Sequence, residues 1–377
     1  MLKIVDFIRQ HPSDWETLLS EKPYALKIKR SPFADGRYVM FNYDMIESDN
    51  YNQIVAESRG LVLDSKEGFE IVRKGFNRFF NIGEGPAAKI NWEHADATIK
   101  EDGTLIFLSY YDDRWIFGTR QNFDVFEAEM ASELYPTFGD LLMDVIKKRY
   151  PKFDQLIKDE DIFVFSKLDT YCFELCSRHN RIVIDYPEPK LFLLASFDNI
   201  DGQENLDQDM DYLAPHMGVD RPEFYKMESP EDYSNLVENF GIQHEGLVVR
   251  DSWGNRVKMK SKLYFELHKS VSNGAMDKEA ICGLVRKGEQ AEFLSYFPEY
   301  KEKFEEIEEL VSNANELISK IRHEAVLQRD TGMTRKDFAL LHKDERISSL
   351  WFKAWEDKLT DDFISSITDE KFIQLFN

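Results

Sequence analysis

Ile99-Lys100-Glu101-Asp102-Gly103-Thr104 sets a lysine before an acidic pair and a glycine, between two apolar runs. The pattern predicts a tight turn at a strand edge, where a lysine with a fixed position and a lowered pKa can act as a nucleophile. Cationic neighbours would favour the neutral amine, and Gly103, lacking a Cβ, would let a phosphate come close to the backbone. K-x-D-G alone arises by chance in on the order of one chain in ten of this length, so the reading depends on what surrounds it.

Downstream, Thr104–Tyr111 and Trp115–Arg120 read as a β-hairpin around Asp112-Asp113-Arg114. Residues 124–158 read as helix, and four β-like runs follow: Ile162–Leu168, Tyr171–Ser177, Ile182–Tyr186 and Leu191–Phe197. Residues 198–230 read as acidic loop with short helix. Gly246–Arg250 and Arg256–Lys260 flank Asp251-Ser252-Trp253-Gly254-Asn255, a second hairpin signal. Alternate residues of a strand share a face, so Lys258 and Lys260 point the same way, with Glu245 placed on the partner strand. Two ammonium groups and a carboxylate could then converge on a phosphate and a metal ion. Upstream, residues 1–20 are helical in pattern and 24–84 aromatic and β-like.

After about Lys269 the texture becomes helical, with Phe304, Ile307, Leu310, Val311, Ala314, Leu317, Ile318 and Ile321 forming one amphipathic stripe. The expected domains are 1–268 and 269–377, a division that 377 residues, 42% of them hydrophobic, can support with two cores. A net charge of −22 argues against nonspecific coating of nucleic acid. Two basic islands interrupt it: Lys22, Lys27, Lys29, Arg30 and Arg37, and Arg256, Lys258, Lys260, Lys262 and Lys269. They suggest local phosphate recognition, against the plainer reading of charge scatter. No apolar run reaches the length of a membrane span, and three cysteines make no disulfide framework. A cytoplasmic, membrane-free chain is expected.

The ordered set Arg59-Gly60, Lys100-x-Asp102-Gly103, Phe173-Glu174, Glu245-Gly246, Lys258-x-Lys260 resembles the covalent nucleotidyltransferases. It is most similar to the RNA ligase 1 family of T-even bacteriophage type. The likeness runs through E-S-R-G (57–60), R-F-F-N (78–81), K-E-D-G-T (100–104), F-E-L and N-R-I-V (173–175 and 180–183), E-G-L-V-V (245–249) and K-M-K-S (258–261). The resemblance implies an α+β fold: a nucleotidyltransferase (ATP-grasp-like) domain with antiparallel sheets and flanking helices, then an all-α C-terminal domain.

It further implies an ATP-dependent RNA ligase in which Lys100 attacks the α-phosphorus of ATP and forms a lysyl–AMP. Lys258 and Lys260 would assist the chemistry, and Glu245 would hold Mg2+ or Mn2+. Arg59 and Arg78 would grip phosphates, Glu174 the ribose, and Ile99, Phe80 and Arg120 would complete the nucleotide site. Arg78 and Arg120 stand where the family has lysine, which keeps the charge and changes the geometry. RNA with 5′-phosphate and 3′-hydroxyl ends is the implied partner, a nicked tRNA loop among the candidates, and the chain is expected to be a monomer. RNA contacts of the tail would come from Arg335, Lys336, Lys343 and Arg346. The alternatives are a capping guanylyltransferase or DNA ligase, whose OB-fold would show as short strands after K-x-K, and a noncatalytic RNA- or tRNA-binding protein on the same fold.

Overall fold

A computed structural model of the 377-residue chain describes residues 1–158, 165–241, 243–261, 264, 277–288, 290, 293–294, 300–343 and 347–376. The chain divides into two compact units, Met1–Phe265 and Glu266–Asn377. The expected domain boundary at 268/269 lies outside the described residues.

The first unit is α+β and holds three sheets. In the first, β1 (Leu26–Arg30), β2 (Tyr38–Tyr43), β3 (Arg59–Asp64) and β4 (Glu70–Arg73) run antiparallel in that order. Helices Lys3–Gln10 and Trp15–Ser20 bury Ile4, Val5, Ile8, Trp15 and Leu19 against its Val39, Phe41, Leu61 and Leu63. The alternate residues Tyr38, Met40 and Val62 pack instead with Tyr111, Ile116 and Phe123. Each such side chain contributes about 1.5–3 kcal/mol on burial.

A short strand, β5 (Phe80–Asn81), precedes β6 (Ala95–Ile99), β7 (Thr104–Tyr111), β8 (Arg114–Thr119), β9 (Asp169–Cys176) and β10 (Lys190–Asp198). The second sheet is antiparallel, ordered β10-β9-β7-β8. The β7–β8 hairpin turns on Asp112 and Asp113, both at positive φ (55° and 57°), the backbone a two-residue hairpin turn requires. Tyr171, Phe173 and Leu175 of β9 face a core built with helices Phe138–Arg149, Pro151–Lys158 and Asp207–Met217. The two-residue period therefore turns Cys172, Glu174 and Cys176 to the other face.

The third sheet adds β11 (Phe224–Tyr225), β12 (Gly246–Asp251) and β13 (Arg256–Lys260), in the order β11-β6-β12-β13-β5. It is antiparallel except where β5 runs parallel to β13. Leu247, Val249, Val257 and Met259 pack with Tyr233 and Val237 of helix Pro230–Glu238, which turns Lys258 and Lys260 away from that core. The β-like run at Ile182–Tyr186 is not a strand but irregular backbone. The run at Ile162–Leu168 lies partly outside the described residues, and Phe165–Leu168 are not strand either.

In the second unit the described residues are helical, with no strand among them. Helix Lys301–Asp330 buries Phe304, Ile307, Val311, Ala314, Ile318, Ile321 and Ala325. The last three pack on Phe338, Leu350, Trp351, Ala354 and Leu359. Among the described residues no helix is long and apolar enough to cross a membrane.

Candidate active site

Lys100 follows β6 and belongs to the four-residue link by which the chain passes from the third sheet to the second. Ile99 pairs with Leu247, and the Lys100 N–H continues the ladder by donating to the carbonyl of Gly246 (2.9 Å). That register brings the Lys100 ammonium to Glu245, the residue just before β12, whose Oε2 lies 2.6 Å from Nζ. Ser261 donates its N–H to the Glu245 carbonyl (2.9 Å), and Lys260 Nζ reaches the other carboxylate oxygen, Oε1, at 2.8 Å. Glu245 is buried between two lysines.

The expected depression of the Lys100 pKa is therefore corrected. Burial lowers it, but the carboxylates of Glu245, Glu174 and Asp102 outweigh burial and raise it above its ordinary value. Lys100 and Lys260 both reach Glu245, and Lys258 stands on the same face as Lys260, close enough to feel Lys100, Lys260 and Glu245. Lys258 stands with its Nζ 4.9 Å from the Phe79 ring. Burial, then Arg59, Lys100 and Lys260, bring its pKa down to about 8.

Glu174 is 9% exposed and makes no hydrogen bond or ion pair among the described residues. Burial pushes its carboxyl up to about 8, against the pull of Lys100 and Arg59. Arg59 opens β3, and its Nη1 is buried without a hydrogen-bond partner. The glycine after it is dictated by the backbone. Gly60 has φ +76°, and a Cβ there would stand 3.0 Å from Arg120 Cα. Arg78 has a second orphaned Nη1. Its guanidinium carbon lies 4.2 Å from the Tyr43 ring centroid and 5.0 Å from that of Phe80. Arg120 donates from Nη1 to the Tyr43 hydroxyl (3.2 Å), and Asn42 Nδ2 holds the Arg120 carbonyl (2.8 Å).

Arg78, itself against Phe80, and Arg120 thus gather on Tyr43, which sequence reasoning missed; it carries no motif, only its place at the end of β2. Ile99 does not join them. Its side chain is buried in the third sheet's core, and its N–H donates to the Glu223 carbonyl.

Two other expectations change. Gly103 does not admit a phosphate: a Cβ there would lie 2.2 Å from the Leu175 carbonyl oxygen and 2.7 Å from Cys176 Sγ, so the glycine serves packing against β9. Asp102, read only as part of a turn, is a buried acceptor, taking the N–H groups of Val183 (2.9 Å) and Ile184 (2.7 Å) and the Tyr264 hydroxyl (2.7 Å).

The basic island at 22–37 is not free for phosphate. Lys22 pairs with Glu47, Lys27 with Asp44, Lys29 with Glu127, Arg30 with Glu16 and Arg37 with Asp64. In the second island Arg256 pairs with Glu204, while Lys262 and Lys269 lie outside the described residues. Chemically, the described residues of the site offer an amine hydrogen-bonded to a carboxylate and, without partners among them, two guanidinium N–H groups, a lysine free of ion pairs and a buried carboxyl. That set suits a ligand carrying both phosphates and hydroxyls.

A family model described as RNA ligase matches residues 57–268. The chain is 30% identical over 289 residues to a protein described as a bifunctional polynucleotide kinase/RNA ligase of Autographa californica nuclear polyhedrosis virus; the match covers 73% of this chain and 40% of that protein. The chain thus spans well under two thirds of the length of the curated relative it matches. Among solved structures it is similar to an archaeal ATP-dependent RNA ligase, form 2, at 13% identity and a TM-score of 0.47, covering 85% of this chain and 82% of that one. It is similar to form 1 at 13% identity and a TM-score of 0.45, with coverages of 70% and 65%. It is also similar to a Naegleria gruberi RNA ligase with PPi at 15% identity and a TM-score of 0.36, with coverages of 47% and 52%.

Proposed function

The chain belongs to the RNA ligase family, and from that membership we propose that it is an ATP-dependent RNA ligase working through a lysyl–AMP on Lys100. The observation that carries this reading is a set of buried polar groups without partners among the described residues: Glu174 and Arg59 Nη1, beside the Lys100–Glu245 pair, and Arg78 Nη1 by Tyr43. Buried polar groups are normally satisfied, so a cluster of unsatisfied ones fits a ligand that completes them.

Lys100 Nζ, as the free amine, attacks the α-phosphorus of ATP. A P–N bond forms, the bond from that phosphorus to the bridging oxygen breaks, and pyrophosphate leaves. The AMP passes to an oxygen of an RNA 5′-phosphate, which breaks the P–N bond and restores the amine. A 3′-hydroxyl then attacks the activated 5′-phosphorus, and AMP departs as the phosphodiester forms. Before the first step the ammonium must give up a proton, and Glu245 Oε2 is the acceptor within hydrogen-bond reach. Arg59, Arg78, Arg120 and Lys258 neutralise phosphate charge where it develops. Glu174 holds the ribose hydroxyls, Phe80 backs Arg78, and Lys260 fixes Glu245.

Among the described residues no three acidic, histidine or cysteine side chains form a metal cage. Magnesium held through one carboxylate and substrate phosphates needs none. Glu245 would be the carboxylate that holds Mg2+ or Mn2+, and the ion would add charge neutralisation at the phosphates.

RNA with a 5′-phosphate and a 3′-hydroxyl is the substrate, nicked tRNA loops included, and the helical unit takes part in choosing it. Within that unit Arg335 pairs with Glu356, Arg346 lies outside the described residues, and Lys336 is an exposed cation on helix Arg335–His342. The buried free thiols of Cys172, Cys176 and Cys282 suit the reducing cytoplasm. The test is incubation with ATP labelled at the α-phosphate and magnesium. The protein should gain one acid-labile, base-stable AMP, and Lys100→Ala should gain none while staying folded. Labelling that survives in Lys100→Ala would overturn the assignment.

A further inference from the structure

Residues 180–186 form no strand because their polar groups are given to the turn that carries Lys100. Asn180 Nδ2 donates to Thr104 Oγ1 (3.0 Å) and to the Leu175 carbonyl (2.7 Å). The N–H groups of Val183 and Ile184 both donate to Asp102 Oδ2. The Tyr186 hydroxyl donates to Glu101 Oε2 (2.9 Å) and accepts from the Asp102 N–H (3.1 Å). One irregular loop, 76 to 85 residues away in sequence, thus holds Glu101, Asp102 and Thr104 by separate bonds. Several of these groups are buried, where a satisfied polar network is stiff.

The chemistry gives that stiffness a use. In-line attack on phosphorus needs the amine about 3–3.5 Å from its target and aligned with the leaving bond. Lys100 has a long flexible side chain, and its hydrogen bond to Glu245 fixes the nitrogen at one point only. The rest of its aim is set by the backbone it stands on. The loop contacts fall on that backbone's next residues and on no group proposed to touch ATP.

Resting on the reading of Lys100 as the nucleophile, we propose that the 180–186 loop is a clamp on the nucleophile turn, with Tyr186 and Asn180 as positioning residues for self-adenylation. The clamp acts on the first step, in which Lys100 forms a bond. Sealing of a pre-adenylated RNA does not use Lys100 as a nucleophile and is indifferent to it.

The experiment uses the full chain carrying Tyr186→Phe, with folding verified by circular dichroism and melting. Three quantities are read: the rate of AMP labelling at saturating ATP, the KM for ATP, and the rate of sealing a pre-adenylated RNA donor. Labelling should slow about ten- to a hundredfold while KM and sealing stay within about twofold. Glu101→Gln keeps an oxygen for the Tyr186 hydroxyl and should label like the parent, whereas Glu101→Leu should reproduce the loss. If Tyr186→Phe does not fold, Asn180→Ala carries the same measurements. Unchanged labelling, a rise in KM alone, or an equal loss in labelling and sealing overturns the clamp. A parent protein that takes no AMP overturns the reading of Lys100 itself; a labelled parent with an indifferent Tyr186→Phe overturns only the clamp.

Discussion

Glu174→Gln measures what the ligand-free fold gives up by keeping a carboxyl without a partner. Burial raises that carboxyl from an ordinary 4.5 to about 8. Between those values the folded chain keeps a proton that the unfolded chain releases. Stability therefore falls as pH rises through the interval and levels off above it. At full strength the interval corresponds to roughly 5 kcal/mol. The pull of Lys100 and Arg59 on the ionised carboxylate is already contained in that value, and relaxation of the site around the charge reduces the full figure. The net expectation is a variant more stable by about 2–4 kcal/mol at pH 8.5. That corresponds to a melting temperature higher by about 5–12 °C for a unit of this size.

The assay is calorimetry of both proteins without nucleotide from pH 5 to 9. All other titrating groups are shared, so the difference between the two curves reports Glu174. It should be small at pH 5, widen to about pH 8, and then hold steady. A difference that does not change with pH, or a parent more stable than the variant at pH 9, would refute the reasoning.

Gly103→Ala should cost about 1–3 kcal/mol, since the new methyl meets the Leu175 carbonyl at 2.2 Å, and a lower urea midpoint would register it. In a Lys100→Ala background, which removes one of the cations that lower Lys258, ATP affinity by calorimetry should weaken as pH rises above 8, where Lys258 loses its charge, and Lys258→Arg should flatten that dependence. Glu245→Gln removes the nearest carboxylate holding Lys100 charged. Labelling of Lys100 by an amine-reactive reagent at pH 8, followed by peptide mass spectrometry, should rise about tenfold.

What was legible in the sequence is what local pattern determines. The Asp112-Asp113 turn, the alternation in Arg256–Lys260 and the stripe of Lys301–Asp330 each carry their own signal within a few residues. The helical character of the second unit and the antiparallel α+β character of the first follow from such signals. What was not legible depends on partners far along the chain. Ile182–Tyr186 has the composition of a strand, but Asp102 takes the amides a ladder would have used. The cations of 22–37 look free until Glu16, Asp44, Glu47, Asp64 and Glu127 arrive beside them. The pKa of Lys100 depends on which charges stand nearest, and the motif order gives their identity without their distances. Tyr43 has no signal at all until the first sheet brings it to Arg78 and Arg120.

The link that carries Lys100 also orders events in time. Its ammonium waits for Glu245, 145 residues later, and Asp102 for Tyr264, 162 residues later. A ribosome adding about 5–20 residues per second needs on the order of ten to thirty seconds to supply them. Throughout that time Lys100 sits on a chain whose third sheet lacks β12 and β13, the strands against which it is set. Contacts of such long separation also close late in folding. Lys100 is thus made early and set in place last, and an unfinished chain lacks both the carboxylate and the strands that surround it in the folded one.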